Sequence, residues 1–377
     1  MVYLDYSATT PVDERVIESY SKACRDYIGN PNSLHKLGLE AKKVIDASTN
    51  QIADILKVKS SDIIYTSGAS ESNNTVIKGI AFKYKNRGNK IISTELEHSS
   101  IIAPLNYLSN LGYDVEFVKL DENGRVDLDD LERLMDDKTI LVSIASISSE
   151  LGIKQPIKEI SNIVRKYPKC FFHSDMTQSL GKEVVDLSLV DFASFSGQKF
   201  YGMKGVGLLY KKESIVIDPL IHGGKSTTIY RSGTPALPLI VSISKALRLI
   251  YEDFDNKQKH IKEVHDYLMD KLNKLKLDIN SNKYSINQIV NFSLKIIKGE
   301  VMLHALEQDD IYVSTQTACA TGDYSFAIYA LTNDKNRARN SIRVSISHLT
   351  TKEEIDKFID SLTKNIERLG ELNKWKL

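Results

Sequence analysis

From Asp13 to Tyr251 short apolar runs alternate with longer amphipathic ones. The runs at Asp62–Thr66, Lys90–Ser93, Asp114–Lys119, Ile140–Ala145, Cys170–Asp175, Phe192–Phe195 and Gly207–Tyr210 have the length and composition of strands. Helical spacing lies between several of them, at Glu40–Leu56, Glu71–Tyr84, Ile101–Leu111, Asp127–Met135 and Ile157–Tyr167. Strands that alternate with helices predict a mostly parallel, seven-stranded sheet covered on both faces. A charged helical stretch from Ile240 to about Lys276 reads as one long bridge. Beyond it the pattern is mixed: strand-like at Ile289–Leu294, helical at Glu300–Gln308, strand-like at Ser341–Ile346 and helical from Lys352 to Leu369. The expected protein is α/β, with a large domain at 13–255. A small C-terminal α+β domain is expected at 256–377, with residues 1–12 packed on it.

A chain of 377 residues is too long for one simple core, and 42% hydrophobic residues suffice for a sizeable one. Lys and Arg number 50 against 49 acids, so charge suggests neither a nucleic-acid nor a membrane-surface partner. The opening MVYLDYSATTPVDE lacks the basic-then-apolar pattern of a signal peptide, and no apolar run has bilayer length. A soluble, cytoplasmic chain is expected. Cys24, Cys170 and Cys319 are far apart and lack CxxC spacing, which predicts neither disulfides nor a metal site. Cys24 and Cys170, on an amphipathic helix and a strand, read as inert structural thiols. Cys319 lies in a run of small polar residues, Ser314–Asp323, that reads as an exposed loop.

In an open parallel sheet, ligands sit beyond the carboxyl ends of the strands. Ile63–Thr66 is followed by Ser67-Gly68-Ala69-Ser70-Glu71 and a helix. A glycine turn entering a helix N-terminus gathers free N–H groups and suits a phosphate, although serines there also serve as ordinary caps. The strand at Cys170–Asp175 ends in a carboxylate that suits a cationic ring nitrogen, or that caps the next turn. Lys199 follows the strand Phe192–Phe195 and precedes a glycine-rich turn. A desolvated lysine there suits Schiff-base chemistry better than a solvated hairpin would explain it.

Together these segments resemble the cysteine desulfurases, enzymes of the class-V aminotransferase type that depend on pyridoxal 5'-phosphate (PLP). The likeness runs through Tyr3-Leu4-Asp5-Tyr6-Ser7-Ala8-Thr9-Thr10-Pro11, Gly29-Asn30-Pro31-Asn32-Ser33-Leu34-His35, Thr66–Asn74 and Glu97-His98-Ser99. It continues through His173-Ser174-Asp175, Gln178, Lys199, Arg231-Ser232-Gly233-Thr234, Ala318-Cys319 and Ser341-Ile342-Arg343. The resemblance implies a type I PLP-dependent transferase fold and a homodimer with shared sites. It implies conversion of L-cysteine to L-alanine, with sulfur passed to a protein acceptor such as an iron–sulfur scaffold or a tRNA-thiolation enzyme.

By the same resemblance, Lys199 carries PLP as a Schiff base and moves protons at the substrate's α-carbon. Asp175 pairs with the ring nitrogen, His98 stacks on the ring and acts as a catalytic acid–base group, and Gln178 bonds the ring's phenolic oxygen. Ala69, Ser70 and Ser196 bind the cofactor, the two serines at its phosphate. Thr234 reaches the phosphate of the neighbouring subunit. Arg343 clamps the substrate carboxylate, and Cys319 is the nucleophile that takes the sulfur as a persulfide. Four departures stand out. Ser148 and Ser149 replace two asparagines, the second of which touches cofactor or substrate in the family. Gln198 replaces a phosphate-binding histidine, Lys225 and Ser226 replace more usual residues, and the loop after Cys319 is about two residues shorter. The runner-up readings are a selenocysteine lyase or aminotransferase on the same scaffold, and a catalytically weak scaffolding relative. Cys319 and Arg343 favour the desulfurase, because a transaminase needs no thiol.

Overall fold

The computed structural model describes residues 1–315 and 323–374. Its main sheet is built from β2 (Ile63–Thr66), β3 (Lys90–Ser93), β4 (Asp114–Phe117), β5 (Thr139–Ser143), β6 (Phe171–Asp175), β7 (Phe192–Ser196) and β8 (Gly207–Lys211). These seven strands lie in the order β2-β8-β7-β6-β5-β3-β4. The run from β4 to β7 is parallel, whereas β8 is antiparallel to both β7 and β2. Every residue of β3, β5, β7 and β8 is buried, as strands covered by helices on both faces must be. At the edge, β4 has no fully buried residue.

The helices α1 (Glu14–Asp26), α2 (Lys36–Leu56), α3 (Ala69–Tyr84), α4 (Ser99–Asn110), α5 (Leu128–Leu134) and α6 (Ile157–Val164) accompany these strands. Two apolar clusters sandwich the sheet. One contains Phe172, Phe195, Leu208 and Leu247, and the other Val76, Ile80, Leu105 and Phe192. Helix α1 is the amphipathic helix expected around Cys24, and it buries Val16 and Ala23.

The expected single helix at 240–276 is instead two, α7 (Leu237–Tyr251) and α8 (Phe254–Leu272). Asp253 between them adopts a left-handed conformation with φ of 56°. Lys257, from the next helix, donates its Nζ to the carbonyls of Leu249 at 2.7 Å and Ile250 at 3.2 Å. This satisfies the orphan carbonyls of α7 and stabilises the break.

A separate cluster unites Leu4, Leu268, Phe292, Met302, Val344 and Phe358. It is formed by α8, β9 (Asp278–Ile279), β10 (Ile289–Ser293), α9 (Gly299–Glu307), β12 (Ser341–Ser345) and α12 (Lys352–Lys374). The order β12-β10-β9 is antiparallel. The first strand, β1 (Val2–Tyr3), pairs in parallel with β11 (Ile311–Tyr312), and Asp5 bridges to Ser345. The short helices α10 (Phe326–Thr332) and α11 (Lys335–Arg339) precede β12. Among the described residues no helix is long and apolar enough to cross a membrane.

Candidate active site

A cavity of about 320 Å³ opens where the carboxyl ends of β5, β6 and β7 meet the start of α3 and the segment 5–10. Its first wall is the turn from β2 into α3. Gly68 caps that helix with φ of 156° and offers no side-chain cap, so the first-turn N–H groups are free for a ligand. A Cβ on Gly207 would lie 2.6 Å from the Gly68 Cα, so β8 needs glycine there to let the turn approach. Ala69 and Ser70 line the cavity, with Ser196 from the end of β7.

The floor carries Asp175, the last residue of β6. Its Oδ2 accepts the Asn73 amide at 2.8 Å and its Oδ1 the Thr177 N–H at 2.9 Å. The buried carboxylate therefore has two neutral donors and forms no ion pair among the described residues. Two strands support it through His173, which is fully buried and bonds Ser143 at 2.9 Å and Ser194 at 3.0 Å. Burial drives His173 down to about 4, so it stays a neutral strut.

His98 is the N-cap of α4, its Nδ1 accepting Ser100 N–H at 3.1 Å. Burial lowers it from the ordinary histidine range, and the nearby Asp175 charge only partly opposes this. Its neighbour Glu97 accepts Ala145 N–H at 2.9 Å and Thr94 O–H at 2.8 Å on Oε1. Burial pushes Glu97 up to about 8.

Lys199 ends a short turn after β7. Its Nζ donates to the carbonyls of Ser7 at 2.8 Å and Ala8 at 2.6 Å. The following Tyr201 is held at φ of 65°, a conformation unusual for so large a residue. Two contacts hold it there: its N–H donates to Thr10 Oγ1 at 2.8 Å, and its ring packs edge-on to His348 at 4.8 Å. Gln178 donates to the Ser7 carbonyl at 3.1 Å. On the far wall the buried Arg343 projects from β12, with Nη2 on Asp5 Oδ1 at 2.8 Å and Nη1 on the Ser149 carbonyl at 3.0 Å. Among the described residues its buried Nε has no partner.

Ten residues singled out from the sequence thus line one cavity: Ala69, Ser70, His98, Ser149, Asp175, Gln178, Ser196, Gln198, Lys199 and Arg343. Thr234 does not line it and is exposed. Cys319 lies outside the described residues. Of the other thiols, Cys170 is buried as expected, and burial raises its pKa. Cys24 is instead exposed, because it lies beside rather than on the apolar stripe of α1.

The class-V aminotransferase profile matches residues 2–358. The chain belongs to the class-V aminotransferase family. It is similar to the cysteine desulfurase IscS of Dictyoglomus turgidum, at 36% identity over the whole of this chain and 97% of the relative. It is likewise similar to a NifS/IcsS protein homolog of Lactobacillus delbrueckii subsp. bulgaricus, at 39% identity over 99% of both chains. A solved NifS-like protein superposes with a TM-score of 0.92 at 35% identity, over 97% of this chain and 99% of that one.

Class-V aminotransferases of this kind are PLP-dependent, and the residues present fit the group. Uncapped N–H groups at α3 suit its phosphate, the unpaired Asp175 carboxylate suits a pyridinium, and Lys199 brings an amine into the same cavity. The sequence reading missed partners in this class-V site: Asn73 behind Asp175, Asp5 behind Arg343, and the Ser7 and Ala8 carbonyls that receive Lys199. Asn73, Asp5, Ser7 and Ala8 all stood inside the recognisable motifs. The carbonyl contacts are made by backbone, which no residue type advertises.

Proposed function

We propose that this chain is a PLP-dependent cysteine desulfurase that converts L-cysteine to L-alanine and passes the sulfur onward through Cys319. The observation that carries the reading is the convergence of Lys199, Asp175, His98 and Arg343 on one cavity, in a chain similar end to end to cysteine desulfurases. When bound, PLP supplies an electron sink conjugated to the substrate's α-carbon.

The chain's own residues then divide the work. Arg343 binds the substrate carboxylate, since Asp5 and Ser149 use two of its five N–H groups and leave three. Asp175 holds a proton on the ring nitrogen. Lys199 moves protons at the α-carbon, and the Ser7 and Ala8 carbonyls accept its N–H groups when it is free. His98 would hold the cofactor's ring, and the α3 start with Ser70 and Ser196 would hold its phosphate. The Cys319 thiolate attacks the substrate's sulfur. The C–S bond breaks, the sulfur stays on the enzyme as a persulfide, and the β-carbon takes a proton to become the methyl of alanine.

Thr234, exposed and away from the cavity, supports a homodimer in which it reaches the partner's phosphate. A protein acceptor, an iron–sulfur scaffold or a tRNA-thiolation enzyme, then removes the sulfur.

The deciding experiment replaces Cys319 with Ala. The variant should bind PLP and change its spectrum with L-cysteine, yet release almost no alanine, while Cys24→Ala and Cys170→Ala stay active. On the parent, mass spectrometry should find added sulfur on Cys319, removed by dithiothreitol. Wild-type alanine production by Cys319→Ala would replace the desulfurase with a lyase acting directly on substrate.

A further inference from the structure

Lys182 ends the turn that follows β6, and the functional reading above leaves it without a task. Its Nζ donates to Gln178 Oε1. Gln178 Nε2 donates in turn to the Ser7 carbonyl at 3.1 Å, the same oxygen that accepts Lys199 Nζ at 2.8 Å. Two amines are thereby joined through one side-chain amide and one backbone carbonyl. Burial holds Lys182 well below the usual lysine range, with the charges of Lys199 and Arg343 acting in the same direction. Tyr6, Tyr201, Lys257 and His348 share with it a cavity of about 30 Å³, room for about one water.

The two ends of an amide are alike in shape and opposite in hydrogen-bonding sense, so its partners decide what it presents. Here one amide hydrogen goes to Ser7 and the carbonyl end is occupied by Lys182. The second hydrogen remains, and Gln178 lines the main cavity. We infer that Lys182 is a positioning residue which, by holding Gln178 Oε1, turns the remaining amide hydrogen toward the phenolic oxygen of bound PLP. The inference rests on the cofactor reading above. A donor at that oxygen favours its ionised form, and so sets the pH at which the visible absorbance of the bound cofactor changes.

The test is a spectroscopic pH titration of the PLP-loaded protein, which reports the pocket without turnover. Lys182→Met should raise the midpoint by roughly 0.5–1 unit, the scale of one hydrogen bond. Lys182→Arg keeps a donor, has spare volume beside it, and should stay near the parent. Gln178→Ala should match Lys182→Met, and the double variant should add nothing further. A midpoint unmoved by Lys182→Met overturns the inference. So does a shift that persists in full in the Gln178→Ala background, because Lys182 would then act by charge alone. Should Lys182→Met fail to fold, Lys182→Leu read against Lys182→Arg carries the same comparison. A parent protein that gains no visible band with PLP refutes the cofactor reading itself, and this inference with it.

Discussion

Glu97 offers a test of the site's electrostatics that needs neither cofactor nor substrate. Its Oε1 is satisfied by Ala145 N–H and Thr94 O–H, and its buried Oε2 has no partner among the described residues. Burial, reinforced by the charge of Asp175, raises the carboxyl from 4.5 to about 8. The native protein therefore keeps Glu97 protonated at pH 7, whereas the unfolded chain ionises it. Between these two values the native state binds the extra proton, so stability falls as pH rises. The cost grows by about 1.4 kcal/mol per pH unit. It reaches about 3 kcal/mol at pH 7 and levels off above pH ~8. Glu97→Gln replaces a neutral acid by a neutral amide of the same shape. Its Oε1 can keep both accepted bonds, and the ionisation is gone. Urea unfolding of the cofactor-free protein, followed by far-ultraviolet circular dichroism, should find variant and parent alike near pH 4.5. The variant should be the more stable by about 3 kcal/mol at pH 7, and by more at pH ~8.5. A difference that does not grow with pH would show that Glu97 is ionised in the folded protein, and the reasoning would be wrong.

Ser149→Asn restores the amide that the family carries, so turnover should hold or improve within about tenfold, the reach of one hydrogen bond. A steady-state loss beyond that would mean the pocket is rebuilt around serine. Asp5→Ala strips the buried Arg343 of its counter-ion. Because the Asp5 side chain is 21% exposed, the expected cost is about 2–3 kcal/mol, short of a fully buried pair. KM for L-cysteine should rise more than kcat falls, and Asp5→Asn should recover part of both losses. An unchanged urea midpoint for Asp5→Ala would contradict the pairing.

The main sheet was legible because most of its strands are short, apolar and buried on both faces, a pattern that needs no tertiary information. The break between α7 and α8 was not, because Tyr251-Glu252-Asp253-Phe254 contains nothing a helix rejects. Lys257 decides it by reaching back from the next helix to the end of the last. The candidate site residues were legible for other reasons: Lys199 and Asp175 are unusual residues at strand ends, and His98 stood in a motif that carries the family resemblance. Lys182 escaped notice because a lysine after a glycine reads as a surface turn, and only the packed structure turns it inward onto Gln178.

The segment Asp5–Thr10 explains why these contacts form one frame. At one end Ser7 N–H donates at 2.9 Å to Oγ of Ser345, on the strand that carries Arg343. At the other, Thr10 N–H donates at 2.9 Å to the carbonyl of Gln198, which adjoins Lys199. Between those anchors Asp5 holds Arg343, while the Ser7 and Ala8 carbonyls hold Lys199 and Gln178. On the proposed function Arg343 grips the substrate's carboxylate and Lys199 works at its α-carbon, so the spacing between the two governs how well both are met at once. Because one short stretch of backbone is bonded to both, Arg343 cannot shift relative to Lys199 without breaking several hydrogen bonds. That restriction is the kind of preorganisation that lowers the entropic cost of reaching the reactive geometry.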